Sequence, residues 1–211
     1  MTSHIAQNPT KFAWIGGRLA LDFANTTSWE PAGPRNERLL TLQDLLDWGR
    51  DAALISPERH AASLDHARRN PLAAQRALER ALLVRELLHR LFTPIADGHR
   101  PDAQLVAAFN DQLPRSLARL RLSTDADALV WADGADDLDT VIHQVMWSAA
   151  KILSSPDRQR LRRCANDACG WHFVDESRNH MRKWCEMREC GNRAKARRHY
   201  ARRRNRASRP S

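Results

Sequence analysis

Four cysteines constrain this chain more than any other feature. They stand as Cys164-x4-Cys169-x15-Cys185-x4-Cys190, and the 211-residue sequence holds no others. Two closely spaced pairs about fifteen residues apart are the spacing of a zinc site, in which each pair supplies two adjacent corners of a tetrahedron. A spacer of four is wider than the common two, so a plain zinc ribbon is excluded. Three other uses of the thiols stand beside this one. Two disulfides would need an oxidising compartment. An iron–sulfur cluster usually has tighter spacing. A zinc site that senses oxidants is favoured by dense positive charge, which lowers thiol pKa. His172 and His180 lie between the pairs and are candidate substitute ligands, although four thiolates already close a tetrahedron. A closed site of this kind is structural, with no open position for substrate or water. It holds together a segment too small and too charged to fold alone, and Trp171, Phe173 and Trp184 offer it a small apolar kernel.

Charge sets the same region apart. The net charge is +9, but residues 151–211 hold 18 Lys/Arg against 6 Asp/Glu, while residues 1–150 hold 16 against 19. A mildly acidic body therefore carries a basic end, an asymmetry that points to nucleic acid. After Gly191 the chain runs to Arg206 without a helix breaker, rich in Ala and Arg, and no acidic residue follows Glu189. Both residue types favour helix. Cys190 is thus expected at the start of a basic helix, and Cys164 and Cys169 on a turn between the short segments 161–163 and 171–174. A knuckle followed by a helix bearing the last ligand is a treble-clef-like arrangement.

The preceding residues read as mostly helical. Leu19, Leu21 and Phe23 alternate, which predicts a short strand. Residues 27–38, with Pro31, Gly33 and Pro34, read as a loop. Thr41 caps a helix carrying Leu42, Leu45, Leu46 and Trp48, and Ser56-Pro57 starts another. The clearest helix opens at Asn70-Pro71 and stops at Gly98. Another runs from Pro101-Asp102 to about Leu113. Residues 116–123 and 128–132 read as a hairpin, and a long helix is expected from about Asp136 to Ser154. The fold class is α+β: a mostly helical N-terminal domain, residues 1–155, and a small zinc finger with a basic helix, residues 156–211. No uncharged apolar run approaches the roughly 18 residues of a spanning helix, and the N-terminus lacks the apolar core of a signal peptide. A cytoplasmic protein with no membrane partner is the expectation. No nucleophile elbow, phosphate loop or acid–base pair stands out, so catalysis is not expected.

Cys190-Gly191-Asn192-Arg193, closing a Cys-x4-Cys…Cys-x4-Cys site, resembles the CGNR zinc finger family. The likeness extends to Arg162-Arg163-Cys164, Cys169-Gly170-Trp171, Ser177-Arg178-Asn179, Arg182-Lys183-Trp184-Cys185 and Arg193-Ala194-Lys195-Ala196-Arg197. Upstream, Leu21-Asp22-Phe23-Ala24-Asn25-Thr26 resembles the start of the ABATE domain that usually precedes that finger. The resemblance implies a stress-induced bacterial transcription regulator whose finger binds DNA and whose ABATE portion senses a ligand or stress signal.

These readings give definite candidates. Cys164, Cys169, Cys185 and Cys190 are to hold one structural Zn2+ per chain. Asn192, Arg193, Lys195, Arg197, Arg198, Arg202 and Arg203 are to face nucleic acid, most simply duplex DNA. Gly191 allows a tight backbone path beside the metal. For Asn192 a hydrogen bond to a thiolate or the turn is preferred to base readout. Asp22, Asn25 and Thr26 either line a ligand pocket or satisfy local backbone. RNA binding, with Trp171, His172 and Phe173 stacked on bases, a protein-interaction module and a redox switch are the alternatives. A small-molecule signal and pairing of two chains are compatible with the first reading.

Overall fold

The computed structural model describes residues 11–30, 32–125, 128–133 and 137–207; for 123–125, 128–133 and 202–207 it is the backbone that is described. The chain is mainly helical, with three two-stranded antiparallel sheets among the described residues. Helix α1 (Leu19–Ala24) leads into β1 (Ser28–Glu30) and β2 (Gly33–Arg35), then α2 (Leu42–Asp51), α3 (Pro57–Arg69), α4 (Pro71–Ala96) and α5 (Ala103–Leu117). Strands β3 (Leu120–Asp125) and β4 (Ala128–Asp133) pair from Leu120↔Asp133 to Asp125↔Ala128. Helix α6 (Thr140–Ser154), the single turn α7 (Asp157–Arg160), and β5 (Leu161–Arg163) with β6 (His172–Val174) follow. A π-helical turn, Met187–Gly191, runs into α8 (Asn192–Ala207).

Local chemistry explains the helix starts. The Thr41 hydroxyl accepts from the Asp44 N–H while the Asp44 carboxylate accepts from the Thr41 N–H, a reciprocal capping box on α2. Ser56 caps α3 through the Arg59 N–H, and Pro57 takes the first helical position, where its missing N–H costs nothing. Pro71 does the same for α4. That helix buries Ala77, Ala81, Val84, Leu88, Leu91 and Phe92 along one stripe, and Gly98, at φ +83°, turns the chain just past its end.

Three expectations are corrected. Residues 19–24 form a helix, not a strand. Ala20, Leu21, Asp22, Phe23 and Ala24 are all buried, because α1 threads between α4 and α6. An element buried on every side has no polar face, and the alternation of three apolar residues then says nothing about its period. Segment 27–38 is not only a loop: β1 and β2 form a small hairpin within it, Trp29 opposite Pro34. Helix α5 continues past Pro114 to Leu117, so the strand expected from Ser116 starts only at Leu120. Helix α6 begins at Thr140; the expected start at Asp136 lies outside the described residues.

Composition and charge change near Pro156, but packing runs across that point. The facing pair Leu161 and Val174 of β5 and β6 is buried in the main core with Leu21, Leu88 and Ile152. Side chains alternate across a strand, so Phe173 points the other way, into a second cluster with Trp171 and the four cysteines. The β5–β6 hairpin is therefore one wall of the helical core and one wall of the cysteine centre.

Candidate metal centre

The cysteine spacing places its pairs as the strands demand. Cys164 follows β5 directly, and its N–H donates to the Trp171 carbonyl at 2.8 Å. The Cys169 N–H donates to the Asn166 carbonyl, closing the knuckle between β5 and β6. Cys190 sits in the π-helical turn that opens α8. The four Sγ atoms lie within 4.8 Å of one another, and all four residues are buried free thiols. Cys169 and Cys185 are 3.6 Å apart at sulfur, Cys185 and Cys190 3.7 Å. A disulfide needs about 2.05 Å. A zinc tetrahedron with Zn–S bonds of about 2.3 Å has S···S edges of about 3.8 Å. The donor set and its spacing fit zinc.

The thiols also act on one another. Hydrogen bonds from Cys169 and Cys185 hold the Cys164 thiol far below its ordinary pKa. The thiols of Cys169 and Cys185 are pushed up by their bonds to Cys164 and by burial. A metal bound by all four must displace the protons that remain on them. The Asn166 amide donates to Cys190 Sγ at 3.4 Å and accepts from Arg197 at 3.0 Å. This link joins the metal centre to the second turn of α8.

His172 and His180 are not ligands. Among the described residues, the cluster with metal-ligand geometry is the four cysteines. His172 is fully buried on the other side of its strand, with Nε2 3.2 Å from Thr93 Oγ1 and its ring 4.9 Å from that of His89. Since the Thr93 hydroxyl donates to the His89 carbonyl, His172 Nε2 carries the proton it gives to Thr93. Burial holds both imidazoles neutral, with His89 lowered to about 3 and His172 well below its usual value.

Asp22, Asn25 and Thr26 are buried and spend their polar atoms on the protein rather than on an open pocket. Asn25 forms a two-point clamp on β6, donating to the His172 carbonyl at 2.8 Å and accepting from its N–H at 2.9 Å. Thr26 donates to the Phe23 carbonyl and accepts from Arg85, a buried guanidinium that also pairs with Glu37. Asp22 accepts from the Gly16 N–H at 2.8 Å, and burial raises its pKa to about 6 against the lowering effect of the Gly16 and Ile15 amides. The short-sequence signal was polar residues beside a buried run. It identified the brace between the two clusters.

That brace has further members. Trp171 Nε1 donates to the Thr27 carbonyl at 2.6 Å, and the Trp29 N–H donates to the Cys169 carbonyl at 2.8 Å. Gly170, at φ +65°, packs so tightly that a Cβ there would lie 2.3 Å from the Trp29 carbonyl oxygen. Trp171, His172 and Phe173 are buried, so they are not surfaces on which bases could stack.

The basic helix divides its candidates. Asn192 donates to the Arg188 carbonyl at 2.9 Å, closing the π-helical turn. Gly191 has ordinary φ; the room a side chain would need is taken by the Met187 thioether. Ala194 is buried and is the packing contact of the first turn. Arg193, Lys195, Arg197 and Arg198 are exposed, although Arg197 is held by Asn166 and Arg193 lies 4.0 Å from Glu189. Arg202 and Arg203 lie in the helical backbone, and their side chains fall outside the described residues.

A helical domain that shares one wall with a four-cysteine finger defines the class: a metal-stabilised finger protein with a fused helical body. Family models give the class its name. The CGNR zinc finger matches residues 160–203. ABATE, described as "Putative stress-induced transcription regulator", matches residues 17–156. The chain belongs to the ABATE family and ends in a CGNR zinc finger. No curated protein matches the sequence significantly. Among the described residues, no helix is long and apolar enough to cross a membrane.

Proposed function

We propose that this chain is a non-enzymatic, duplex-DNA-binding transcription regulator responding to a stress signal or ligand, with one structural zinc per chain. The observation that carries this reading is the start of α8. The helix leaves directly from the ligand Cys190, buries Ala194, and turns Arg193, Lys195 and Arg198 to solvent. A cationic helix with almost no carboxylate nearby repels itself and is stabilised beside phosphates. Zinc fixes where the helix points, and the phosphate-facing cations position it while few side chains read bases. Burial of Trp171, His172 and Phe173 favours duplex DNA over single-stranded RNA, because the stacking surface that RNA binding would use is inside the protein.

The brace gives the reading a route for regulation. A change in the helical body that moves α1 or β1 moves Asn25 and Trp29, and with them β6 and the Cys169 knuckle. The test is fluorescence anisotropy of labelled random duplex DNA and matched single-stranded RNA against zinc-loaded and zinc-stripped protein. Duplex binding is expected to fall about a thousandfold between 50 and 200 mM salt and to vanish without zinc. Arg193→Ala is expected to keep zinc and to weaken binding with a salt slope smaller by about one. Binding that survives stripping would make the arginines an unstructured polycation. Absence of binding at low salt would make the finger a protein-interaction module.

A further inference from the structure

A large cleft lies away from Asp22, Asn25 and Thr26, where α4, α5 and α6 meet α7 and β5. Its volume is about 1210 Å³, above the roughly 300–1,000 Å³ of common small-molecule pockets. The floor is apolar. Leu91 and Phe109 are buried beneath it, and Ile95, Leu113 and Leu153 extend it. The rim is cationic, with Arg100 on the α4–α5 connection, Arg158 on α7 and Arg162 on β5.

Charge at the rim is unbalanced. The carboxylate there, Asp97, already pairs with Arg163 at 3.0 Å. Arg162 donates one guanidinium nitrogen to the Gln159 and Leu161 carbonyls and has no acidic partner among the described residues. The side chains of Arg100 and Arg158 have no ion pair among the described residues. Three guanidinium groups without carboxylates therefore surround an apolar trough. A nucleic-acid backbone has no apolar surface with which to cover Ile95, Val106, Leu113 and Leu153, the apolar lining that is still partly exposed. An uncharged lipid would leave the arginines without a partner. A molecule with an apolar body and one anionic oxygen-bearing head satisfies both, and a guanidinium matches a carboxylate through two parallel hydrogen bonds.

We propose that this cleft is a binding site for an apolar carboxylic acid, its hydrocarbon body on the α4–α5–α6 floor and its carboxylate against Arg158, Arg162 and Arg100. Such a ligand bridges the helical body to the segment 158–162, which leads within two residues to Cys164. Its regulatory meaning rests on the function proposed above; its binding does not.

The test uses the zinc-loaded full chain without nucleic acid, so that failure of DNA binding and failure of this site are read separately. Decanoate is titrated calorimetrically below its micellar concentration, with decan-1-ol and decylammonium as uncharged and cationic counterparts. One decanoate per chain is expected, bound about tenfold or more tighter than either counterpart. The double variant R100Q/R158Q and the single variant V106E, which puts a carboxylate at the half-exposed mouth, should each weaken decanoate about tenfold or more with unchanged melting temperature. Equal affinity for all three head groups, full affinity in both variants, or no decanoate binding would each overturn the assignment.

Discussion

Replacing Asn25 by Ala is the most direct probe of how the finger is held. The side chain is 2% exposed and makes both of its hydrogen bonds to one residue, His172 of β6, at 2.8 and 2.9 Å. Truncation leaves a buried N–H and a buried carbonyl without partners. Leaving such a group unsatisfied costs about 1–3 kcal/mol each. The total is taken in the lower half of the resulting range, at about 3 kcal/mol, because water entering the space vacated by the amide gives some relief. For a domain of this size that corresponds to a fall in melting temperature of roughly 6–12 °C. Asn25→Asp should be worse than Asn25→Ala at neutral pH, since it replaces the donor by a buried anion facing the His172 carbonyl. The assay is urea denaturation of zinc-loaded protein followed by circular dichroism, with zinc release measured in parallel by a colorimetric chelator. Because β5 and β6 contribute to both clusters, the two signals should move together. A loss below about 0.5 kcal/mol, the range of ordinary surface changes, would refute the claim that this clamp joins finger to body. Zinc release at unchanged helix content would refute the shared wall.

Other changes probe neighbouring parts. Gly170→Ala should lower the melting temperature and slow metal loading, because the new Cβ meets the Trp29 backbone and φ is left-handed; calorimetric scanning with and without zinc checks this. Asp22→Asn should be neutral to stabilising at pH 7, by at most about 3 kcal/mol for a shift of about two pKa units. In the parent chain, folded Asp22 keeps its proton between about pH 4 and 6 while the unfolded carboxyl loses it. Stability from this group therefore falls as pH rises through that window, and the variant should lack the slope. His89 acts with the opposite sign: it is neutral when folded down to about pH 3, so acidification below the unfolded value costs about 1.4 kcal/mol per pH unit. His89→Gln should remove this share of the slope in denaturation curves between pH 6 and 4 and leave the share that buried His172 contributes with the same sign. Cys185→Ser should lose stoichiometric zinc and nucleic-acid binding together; retained metal would show that the ligand set is wrong.

The cysteine centre was legible because its spacing survives any packing, and α2, α3 and α4 because caps, prolines and apolar stripes are local. Helix α1 was not. A six-residue helix with five residues buried leaves no amphipathic record, so the short alternation of Leu19, Leu21 and Phe23 points to the wrong period. The composition boundary near Pro156 is visible in sequence, but nothing local tells that Leu161 and Val174 turn back into the helical core. Asn25 was singled out, though its partner, the backbone of a residue 147 positions away, is set by tertiary structure alone. Arg197 illustrates the reverse limit. Its residue type promised a phosphate contact, while its geometry ties it to Asn166 and through it to a ligand sulfur.

The shared hairpin has a consequence for evolution and for engineering. A finger excised at residue 160 would carry away Leu161 and Val174 and leave an open gap in the body. A finger transplanted from another member would arrive with its own hairpin face, and would settle only where that face matches the host's Asn25, Trp29 and Thr27. Substitutions at these host positions and at Gly170, Trp171 and His172 should therefore be tolerated in concert rather than singly. Chimaeras between members should fold best when the N-terminal segment through β1 travels with the finger, although more than a hundred residues separate the two in the chain.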